Sequence, residues 1–219
     1  MSTEARWAGI LRWIFFGIVV RFVVLIVLGL NVRHRERLPQ KGPAIPAANH
    51  NSHLDTLVLM SLLPLRVLGR LRPVAAMDYF FRNRWLAWFA THVIGVVPIK
   101  RQRSTPDEDL LAPVAEALER GDIVIFFPEG SRGEPERLAE FKSGIARLAG
   151  RFPQVPVTPV FMHGLGKALP RGEWLLVPFF VDVFIGEPLT WNGDRRAYLN
   201  EFKCAIERLA AEGHFPPWE

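Results

Sequence analysis

The sequence is poor in cysteine and tyrosine, with one cysteine, Cys204, and two tyrosines among 219 residues. A single cysteine cannot form an internal disulfide, which agrees with a reducing compartment. It also provides no cysteine cluster for zinc, and the six histidines show no metal-ligand spacing, so we expect no metal site. The sequence contains no nucleic-acid-binding motif, and we therefore expect no nucleic-acid partner.

Apolar residues and an uneven distribution of charge are what the sequence does have. Hydrophobic residues make up 49% of the chain and charged residues 22%, which suits one domain with a sizeable core. Residues 1–41 hold seven Lys/Arg and two Glu, whereas residues 42–219 hold twenty of each sign. Residues 66–103 carry eight Lys/Arg against one acid, Asp78. Basic residues beside an apolar N-terminus indicate an anionic lipid surface rather than nucleic acid.

Residues 13–30 form a long apolar run with a single charge, Arg21. A membrane span needs about 20 apolar residues, a length reached by extending the run back to Trp7 and including Arg12. The run is long for a signal peptide, and arginines follow it where a small-residue cleavage site would stand. Two membrane geometries remain open, a single tilted span and two short helices that dip into one leaflet.

The basic residues that follow the apolar run predict how the chain is oriented. By the positive-inside tendency, the domain that follows is cytoplasmic. We therefore expect residues 1–36 to be an N-terminal membrane-anchoring helical segment at the cell inner membrane, with residues 37–219 as a folded domain on its cytoplasmic side.

After a turn-rich linker at residues 38–43, short apolar runs alternate with helical patterns. The predicted strands are 44–48, 93–99, 123–127, 156–161 and 175–185. The predicted helices are 112–120, with Gly121 as its stop, 138–150 and 195–211. This alternation predicts an α/β fold with a mostly parallel or mixed central sheet flanked by helices. In such folds ligands bind beyond the carboxyl ends of the strands.

The first block of polar residues, 49–55, follows the first of these strands and reads NHNSHLD. His50 and Asp55 are five residues apart, which on a continuous helix separates them by roughly 140°. If Ser52 caps a helix, Asp55 lies in its first turn and can reach back to His50. A carboxylate on one imidazole nitrogen lets the other nitrogen take a proton from a hydroxyl. Taken alone, the block equally fits a helix cap beside a surface histidine.

Three further blocks also follow or contain apolar runs. The second block, 95–101, reads GVVPIKR and ends in cations, of which Arg101 could hold a phosphate. The third block, 126–132, reads FFPEGSR. Here Gly130 allows close backbone approach, and Ser131 and Arg132 offer donors to an oxyanion or phosphate. The fourth block, 155–160, is a strand flanked by prolines. Each of these three, alone, fits ordinary structure.

Together and in this order, the four blocks resemble the glycerolipid acyltransferase superfamily, in particular the 1-acylglycerol-3-phosphate (lysophosphatidic acid) acyltransferase family. Its signatures are an NHxxxxD block, a GxxFxxR-like block, an FPEGTRS-like block and a VPVxPV-like block, and the resemblance runs from about Arg37 to Phe184. It implies that His50 is the general base and Asp55 its orienting partner. It further implies that the acceptor phosphate site is lined by Arg101, Glu129, Gly130, Ser131 and Arg132, with support from Asn49, Ser52 and Gly95.

The resemblance also implies the reaction. A fatty acyl group would pass from acyl-CoA or acyl carrier protein to the free hydroxyl of 1-acylglycerol-3-phosphate, forming phosphatidic acid in phospholipid biosynthesis. No cofactor beyond the thioester is needed, and the expected partners are the lipid bilayer, the lysophospholipid acceptor and, as donor, either carrier. Residues 37–219 would be the acyltransferase catalytic domain.

Departures from the signatures keep the acceptor open. Met77 lies where many members have a lysine, and Pro98 replaces the usual aromatic of the second block. Another lysophospholipid or a lyso-aminolipid is the alternative acceptor, and a catalytically silent membrane-binding protein is the alternative function. A lipid hydrolase is disfavoured because the sequence has no GxSxG elbow.

Overall fold

The computed structural model describes residues 3–24, 28–80, 83–102, 104–105, 107–133, 137–168 and 179–215. Its α-helices are α1 Thr3–Ile14, α2 Leu54–Leu62, α3 Met77–Phe80, α4 Arg84–Trp88, α5 Ala112–Glu119, α6 Gly144–Arg151, α7 Leu165–Ala168 and α8 Arg195–Glu212. The strands are β1 Gly29–Arg33, β2 Ile45–Ala48, β3 Leu71–Ala76, β4 Val97–Ile99, β5 Ile123–Ile125, β6 Val157–His163 and β7 Phe180–Ile185. Phe15–Val20 and Phe89–Ile94 are π-helical, and Arg35–Arg37 and Leu65–Arg70 are 3-10 helical.

The strands form a four-stranded sheet in the order β1-β7-β6-β2 and a three-stranded sheet in the order β4-β3-β5. Parallel bridges between Ala44 and Ile123 and between Ala47 and Phe126 join β2 to β5, so the two sheets are continuous. The strands β4, β3, β5, β2 and β6 are mutually parallel, whereas β7 is antiparallel to β6 and β1 is parallel to β7. The prediction of a mostly parallel, mixed sheet flanked by helices is confirmed.

Helices cover both faces of this sheet because side chains along each strand alternate between the faces. Ile123 and Ile125 of β5 belong to a core shared with α2 and the N-terminal helical segment. Val124, between them, faces a second core that contains side chains of α5, α6 and α8. Both faces of the central strands are therefore buried, which explains why these strands read as continuous apolar runs.

Two predicted elements differ from the structure. Residues 93–99 were expected to form one strand, but Phe89–Ile94 is helical and β4 begins only at Val97. Gly95 separates them with a left-handed backbone, φ +80°, a conformation that glycine adopts without steric cost. The expected helix 138–150 begins only at Gly144. The Lys142 N–H donates to the Pro128 carbonyl at 2.9 Å, which holds the preceding residues in a loop against the third block.

Two strands of the structure, β1 and β3, were not predicted from the sequence. Gly29 and Leu30, the last residues of the apolar run 13–30, are the first residues of β1. Because β1 pairs with β7, the sheet starts before the boundary predicted at residue 37. For the predicted strand 175–185, the structure has β7 at Phe180–Ile185, and residues 175–178 lie outside the described residues.

The N-terminal segment is helical from residue 3 to residue 24, α-helical at first and then largely π-helical. Every fourth residue of this segment is buried against the domain, namely Ala8, Arg12, Phe16, Val20 and Val24. A spacing of four fits a helix in which α turns and wider π turns alternate. Within the described ranges, no helix has both the length and the apolar character to cross a bilayer.

Candidate active site

The carboxyl ends of two neighbouring parallel strands bring the first and third blocks together. β2 ends at Ala48, immediately before Asn49, and β5 ends at Ile125, immediately before the third block. The Ala48 N–H donates to the Phe126 carbonyl at 3.0 Å, which fixes the two strand ends side by side. The two loops that leave these strands therefore form one site at the edge of the sheet where α/β folds bind ligands.

His50 and Asp55 are in direct contact in the first block. The His50 Nδ1 lies 2.8 Å from Asp55 Oδ2. The same oxygen accepts the Asn51 N–H at 2.6 Å and the Ser52 N–H at 2.9 Å. Asp55 is 1% exposed, so its negative charge is supported by these donors rather than by water. An acceptor oxygen at Nδ1 assigns the proton to that nitrogen and makes Nε2 the basic one.

The contact depends on a helix that starts four residues after His50. α2 begins at Leu54, which puts Asp55 in its first turn and His50 in the loop before it. The Leu54 N–H donates to Ser52 Oγ at 3.3 Å, and Asp55 accepts the Ser52 N–H in return. The N-cap of α2 is therefore His53, one residue later than the predicted cap Ser52, and the His53 side chain makes no capping hydrogen bond.

Asn49 holds the loop to the other neighbouring strand. Its side-chain amide donates to the Met162 carbonyl at 2.8 Å and accepts the Met162 N–H at 2.7 Å. Asn49 is 1% exposed, and this pair of hydrogen bonds prolongs the contact of β2 with β6 after the backbone of β2 turns away. The fourth block supplies most of β6, so its place in the site is to position Asn49 and hence His50.

The third block surrounds the His50 peptide and ring. Glu129 Oε1 accepts the His50 N–H at 3.1 Å, and the Gly133 N–H donates to the His50 carbonyl at 2.9 Å. The Phe127 ring stacks on the imidazole with centroids 4.2 Å apart. Both backbone polar groups and one face of His50 are therefore fixed by a segment about 80 residues away in the chain.

Glu129 is a buried acid close to Asp55. It is 2% exposed, and burial raises its pKa from 4.5 to about 7, with the charge of Asp55 adding to the rise and the His50 N–H opposing it. A side chain added at Gly133 would meet Glu129 Oε2 at 3.1 Å, so the absence of a side chain at Gly133 makes room for the carboxyl group. Glu129 was predicted to line the acceptor phosphate, and in the structure its carboxyl group accepts the His50 N–H.

His53, the second histidine of the first block, lies in a different electrostatic environment. Its pKa falls from 6.5 to about 4, first because partial burial disfavours the charged ring, and then because Arg132 and His50 lie nearby. His53 is therefore neutral near pH 7. The same interaction places Arg132 of the third block near His53, while its role toward the acceptor phosphate stays a prediction.

The outer part of the third block is open to solvent. Gly130 and Ser131 are exposed and Arg132 is half-buried. Gly130 has φ +72°, and a methyl group added there would lie 2.9 Å from the Lys142 ammonium nitrogen. Lys142, Phe127 and Gly133 were assigned no role from the sequence. Phe127 lies in the third block and Gly133 directly after it, but the contact through which each of the three residues acts forms only when the loops pack together.

Arg101 lies at the same edge of the sheet but farther along it. β4 is two strands from β5, a separation of about 10 Å. Arg101 Nε is 3.5 Å from Asp78 Oδ1, and both side chains are more than half exposed. Its neighbour Lys100 donates to Glu108 at 2.7 Å. The second block therefore presents cations at the rim, each beside an acid, rather than inside the cluster around His50.

Similarity to known proteins agrees with this geometry. The structure superposes on the crystal structure of the 1-acyl-sn-glycerophosphate (LPA) acyltransferase PlsC from Thermotoga maritima with a TM-score of 0.72 and 21% sequence identity, over 98% of this chain and 81% of that chain. The two chains share the fold.

Sequence relatives point the same way. The chloroplastic 1-acyl-sn-glycerol-3-phosphate acyltransferase LPAT1 of Arabidopsis thaliana is 35% identical over 162 residues, 73% of this chain and 43% of that protein. The 1-acyl-sn-glycerol-3-phosphate acyltransferase alpha of Homo sapiens is 32% identical over 134 residues, 61% of this chain and 45% of that protein. The chain thus spans about half the length of the curated relatives it matches. The family model described as Acyltransferase matches residues 29–163, more than half of the sequence, and the chain belongs to that family.

Proposed function

We propose that this chain transfers a fatty acyl group from a thioester to the free hydroxyl of 1-acylglycerol-3-phosphate, forming phosphatidic acid. The observation that carries the proposal is the 2.8 Å contact between His50 Nδ1 and the buried Asp55 carboxylate, at the carboxyl edge of the sheet. It gives the site a general base beside an exposed, cation-bearing loop. The substrate named for the relatives, 1-acyl-sn-glycerol-3-phosphate, supports this choice of acceptor.

In the proposed mechanism, His50 Nε2 takes the proton from the acceptor hydroxyl as that oxygen attacks the thioester carbonyl carbon. Asp55 stabilises the imidazolium that forms. The C–S bond then breaks, and the thiolate leaves with the proton returned from His50, so that an ester and a free thiol result. The site needs no covalent acyl-enzyme, because the nucleophile is the hydroxyl of the acceptor itself.

The acceptor phosphate would lie against the exposed part of the third block. Arg132, Lys142 and Ser131 supply positive charge and donors there. The Gly130 N–H is used within the turn, where it donates to the Phe127 carbonyl. Arg101 would join from the rim by leaving Asp78, an exposed pair worth no more than about 1 kcal/mol. Glu129 acts in this scheme on the His50 peptide, since a buried carboxyl group is a poor direct partner for a phosphate dianion.

The donor would be acyl-CoA or acyl carrier protein, with no metal and no further cofactor. Both carriers present the same thioester through a phosphopantetheine arm, so the chemistry at His50 is identical. The reaction would place the chain in phospholipid biosynthesis.

We also propose that the chain binds a lipid bilayer through the outer face of its N-terminal helical segment. This face is apolar and broadly exposed, at Trp7, Ile10, Leu11, Trp13, Ile14, Ile18, Val19 and Phe22, with exposed fractions between 43% and 62%. A contiguous apolar face of this kind is typical of a membrane or protein interaction site. Trp85, 81% exposed, and Trp88 extend it from α4. The π-helix Phe89–Ile94 that continues α4 packs on the N-terminal segment through the Phe15–Phe89 ring contact.

This surface favours a third membrane geometry, a helix lying in the plane of the interface, over the tilted span and the two dipping helices that the sequence left open. One side of the helix is occupied by the domain through its buried stripe, while the other side is apolar and rich in tryptophan. A helix that lies in the interface buries one apolar face in the acyl region and turns the other away. Such a seat brings the catalytic edge to acceptors that reside in the membrane.

Purified protein tests the reaction directly. It would be supplied with labelled acyl-CoA or acyl carrier protein and with a panel of lysolipids, namely 1-acylglycerol-3-phosphate, other lysophospholipids and a lyso-aminolipid. We expect acylation of 1-acylglycerol-3-phosphate that is lost in His50→Ala. Preferred acylation of another lysolipid would change the acceptor and keep the chemistry. Vesicle binding without acyl transfer to any acceptor would replace the proposal with a silent membrane-binding function.

Sedimentation with lipid vesicles tests the membrane seat. Ile18→Glu and Phe22→Glu put charge on the apolar face and should release the chain from phosphatidylcholine vesicles, with or without phosphatidylglycerol. Cys204→Glu adds the same charge at an exposed position on α8 and serves as the matched control. Equal vesicle binding by all three variants would remove this face from the membrane contact.

A further inference from the structure

Arg12 is a buried cation in the helix that we propose to seat on the membrane. The segment from Trp7 to residue 24 contains two charged side chains, of which Arg21 is half-buried and Arg12 only 7% exposed. Burial lowers the pKa of Arg12 to about 10, with Arg72 adding to the decrease and Asp122 opposing it. Arg12 is therefore protonated near neutral pH. The mechanism proposed above makes no use of it.

The guanidinium group lies at the amino ends of two adjacent strands. Arg12 Nη2 donates to the carbonyl of Leu71, the first residue of β3, at 2.8 Å. The same group lies directly over Gly95, where an added methyl group would be 2.6 Å from Nη1 and 3.0 Å from Nη2. A single side chain of α1 thus contacts the start of β3 and the residue two positions before β4.

Gly95 is also where α4 and the π-helix that continues it join the sheet. The π-helix Phe89–Ile94 ends at Gly95, and the Val96 N–H donates to the Ala90 carbonyl at 2.9 Å. Any side chain at Gly95 would be strained at φ +80° and would collide with Arg12. Gly95, predicted as a supporting residue of the second block, is therefore explained by the passage of Arg12.

The two ends of β4 are only a few residues apart, so a displacement of its amino end also displaces its carboxyl end. β4 has three residues, paired in register with β3 from Val74–Val97 to Ala76–Ile99, and Lys100 and Arg101 follow at once. So short a strand has few ladder bonds to fix it, and its position depends on contacts at its ends. Arg12 provides a contact at the amino end of β4, opposite the end that is followed by the two cations.

We infer that Arg12 is a positioning residue that couples the seating of the N-terminal helix on a lipid surface to the placement of β4 and of the cations at its end. The inference rests on the proposed membrane seat and acceptor site. It predicts that acceptor binding, rather than the acyl-transfer step, responds to a change at Arg12, and that both strands loosen where the guanidinium holds them.

Hydrogen exchange tests the placement of β4 whether or not the chain acylates lysophosphatidic acid. In Arg12→Met, the amides of residues 95–101 should exchange about tenfold faster, because the guanidinium no longer packs against Gly95, just before β4. Arg21→Met, on the same helical segment, should leave these amides unchanged. Unchanged exchange at residues 95–101 in Arg12→Met would overturn the inference. If that variant does not fold, Arg12→Lys, which keeps the charge and one donor, should show an intermediate increase.

Kinetics separates positioning from a purely structural role. Arg12→Met should raise the apparent KM for 1-acylglycerol-3-phosphate about fivefold, with kcat and the donor KM within about twofold of wild type. Arg12→Lys should restore part of the acceptor KM. Equal losses on donor and acceptor, or a fall in thermal stability with unchanged KM, would reduce Arg12 to a structural role. Absence of acyl transfer by the wild type would instead contradict the proposed function, and hydrogen exchange would still decide the role of Arg12.

A double-mutant cycle with Gly95 identifies the contact responsible. Gly95→Ala should raise the acceptor KM in the wild-type background, through backbone strain and through collision with the guanidinium. In an Arg12→Ala background only the strain remains, so the same change should have a smaller effect. Equal effects of Gly95→Ala in the two backgrounds would show that the contact does not position β4.

Discussion

The loops around His50 and around Arg101 lie at one edge of the same sheet, yet they are built differently. Asp55 is 1% exposed and accepts three hydrogen bonds on one oxygen, and Glu129 and Gly133 hold both polar groups of the His50 peptide. Arg101 is 54% exposed on its side chain and pairs with one acid of the described residues, Asp78, at 3.5 Å. The proposed base is held in place by the protein itself, whereas the rim cation is placed to exchange one anion for another.

The contrast follows from strand order. β2 and β5 are neighbours with β6 on the other side of β2, so two loops and the end of β6 meet around His50. Among the strands that the structure describes, β4 is the last of the sheet, with β3 as its partner, and the loop after it meets no further described strand. A rigid loop at His50 and an adaptable rim at Arg101 suit the proposed transfer to a lipid headgroup that enters from a membrane.

The largest effect should come from the rigid loop. His50→Ala should lower kcat at least about 100-fold while the fold survives, the magnitude expected for loss of a general base. His53→Ala should stay within about threefold of wild type, because the Asp55 carboxylate holds His50 and not His53. Initial rates with saturating donor and acceptor would measure both. Equal losses in the two variants would mean that the base is misassigned.

Glu129, in the rigid loop next to His50, should affect the pH dependence of folding stability rather than the reaction rate. Because burial raises its pKa to about 7, the folded protein retains near neutral pH a proton that the unfolded chain has lost. Folding stability from this group therefore falls as pH rises from about 4.5 to about 7. Glu129→Gln removes that loss, so its unfolding free energy relative to wild type should rise by up to about 3 kcal/mol between about pH 5 and about pH 8.

Urea denaturation at the two pH values would measure this change. Glu108→Gln is the matched control, since Glu108 has its pKa lowered by its hydrogen bond to Lys100 and should show no such gain with rising pH. A difference between Glu129→Gln and wild type that does not change with pH would show that the Glu129 carboxyl group ionises normally.

Substituting one cation beside each loop compares the two loops directly. Lys142 lies against Gly130 beside the His50 loop, whereas Arg101 is two strands away, so Lys142→Met should raise the acceptor KM about tenfold and Arg101→Ala about threefold. The donor KM should change less in both variants. Initial rates with 1-acylglycerol-3-phosphate and with an uncharged monoacylglycerol would separate loss of phosphate binding from other damage.

The uncharged acceptor provides the decisive control. With monoacylglycerol both substitutions should have little effect, since no phosphate is present to be bound. A comparable loss on both acceptors would remove the substituted residue from the phosphate site. A larger effect for Arg101 than for Lys142 would place the phosphate at the rim and reverse the comparison.

The smallest effect is expected from Cys204, which lies exposed on α8, away from both loops. Cys204→Ser should keep kcat within about twofold, because direct transfer in a ternary complex needs no enzyme nucleophile. Mass spectrometry of protein incubated with donor alone should find no acyl adduct. An adduct on Cys204, Ser52 or Ser131 that forms at the rate of turnover would replace direct transfer with a covalent mechanism.

Much of the fold was predictable from local patterns, and the exceptions have identifiable causes. The buried strands β2, β5 and β6 and the helix α8 appear close to their predicted positions because apolar runs and helical spacing report burial locally. β3 was missed because its sequence, LRPVAA, contains an arginine and a proline. The helix expected at 138–150 starts late because a tertiary hydrogen bond at Lys142 holds the preceding residues against the third block.

By itself, the sequence determined the chemistry available to this protein: a histidine and an aspartate at a spacing that a helix start can bring together, cation-bearing blocks after buried strands, and an apolar N-terminal segment. Only the tertiary structure decided which of these residues meet. Strand order put Glu129 on the His50 peptide and Arg101 at the rim, and packing of α1 turned Arg12 inward to Leu71. Local spacing fixes contacts within a turn of helix, whereas contacts between distant segments are set by strand order and by burial.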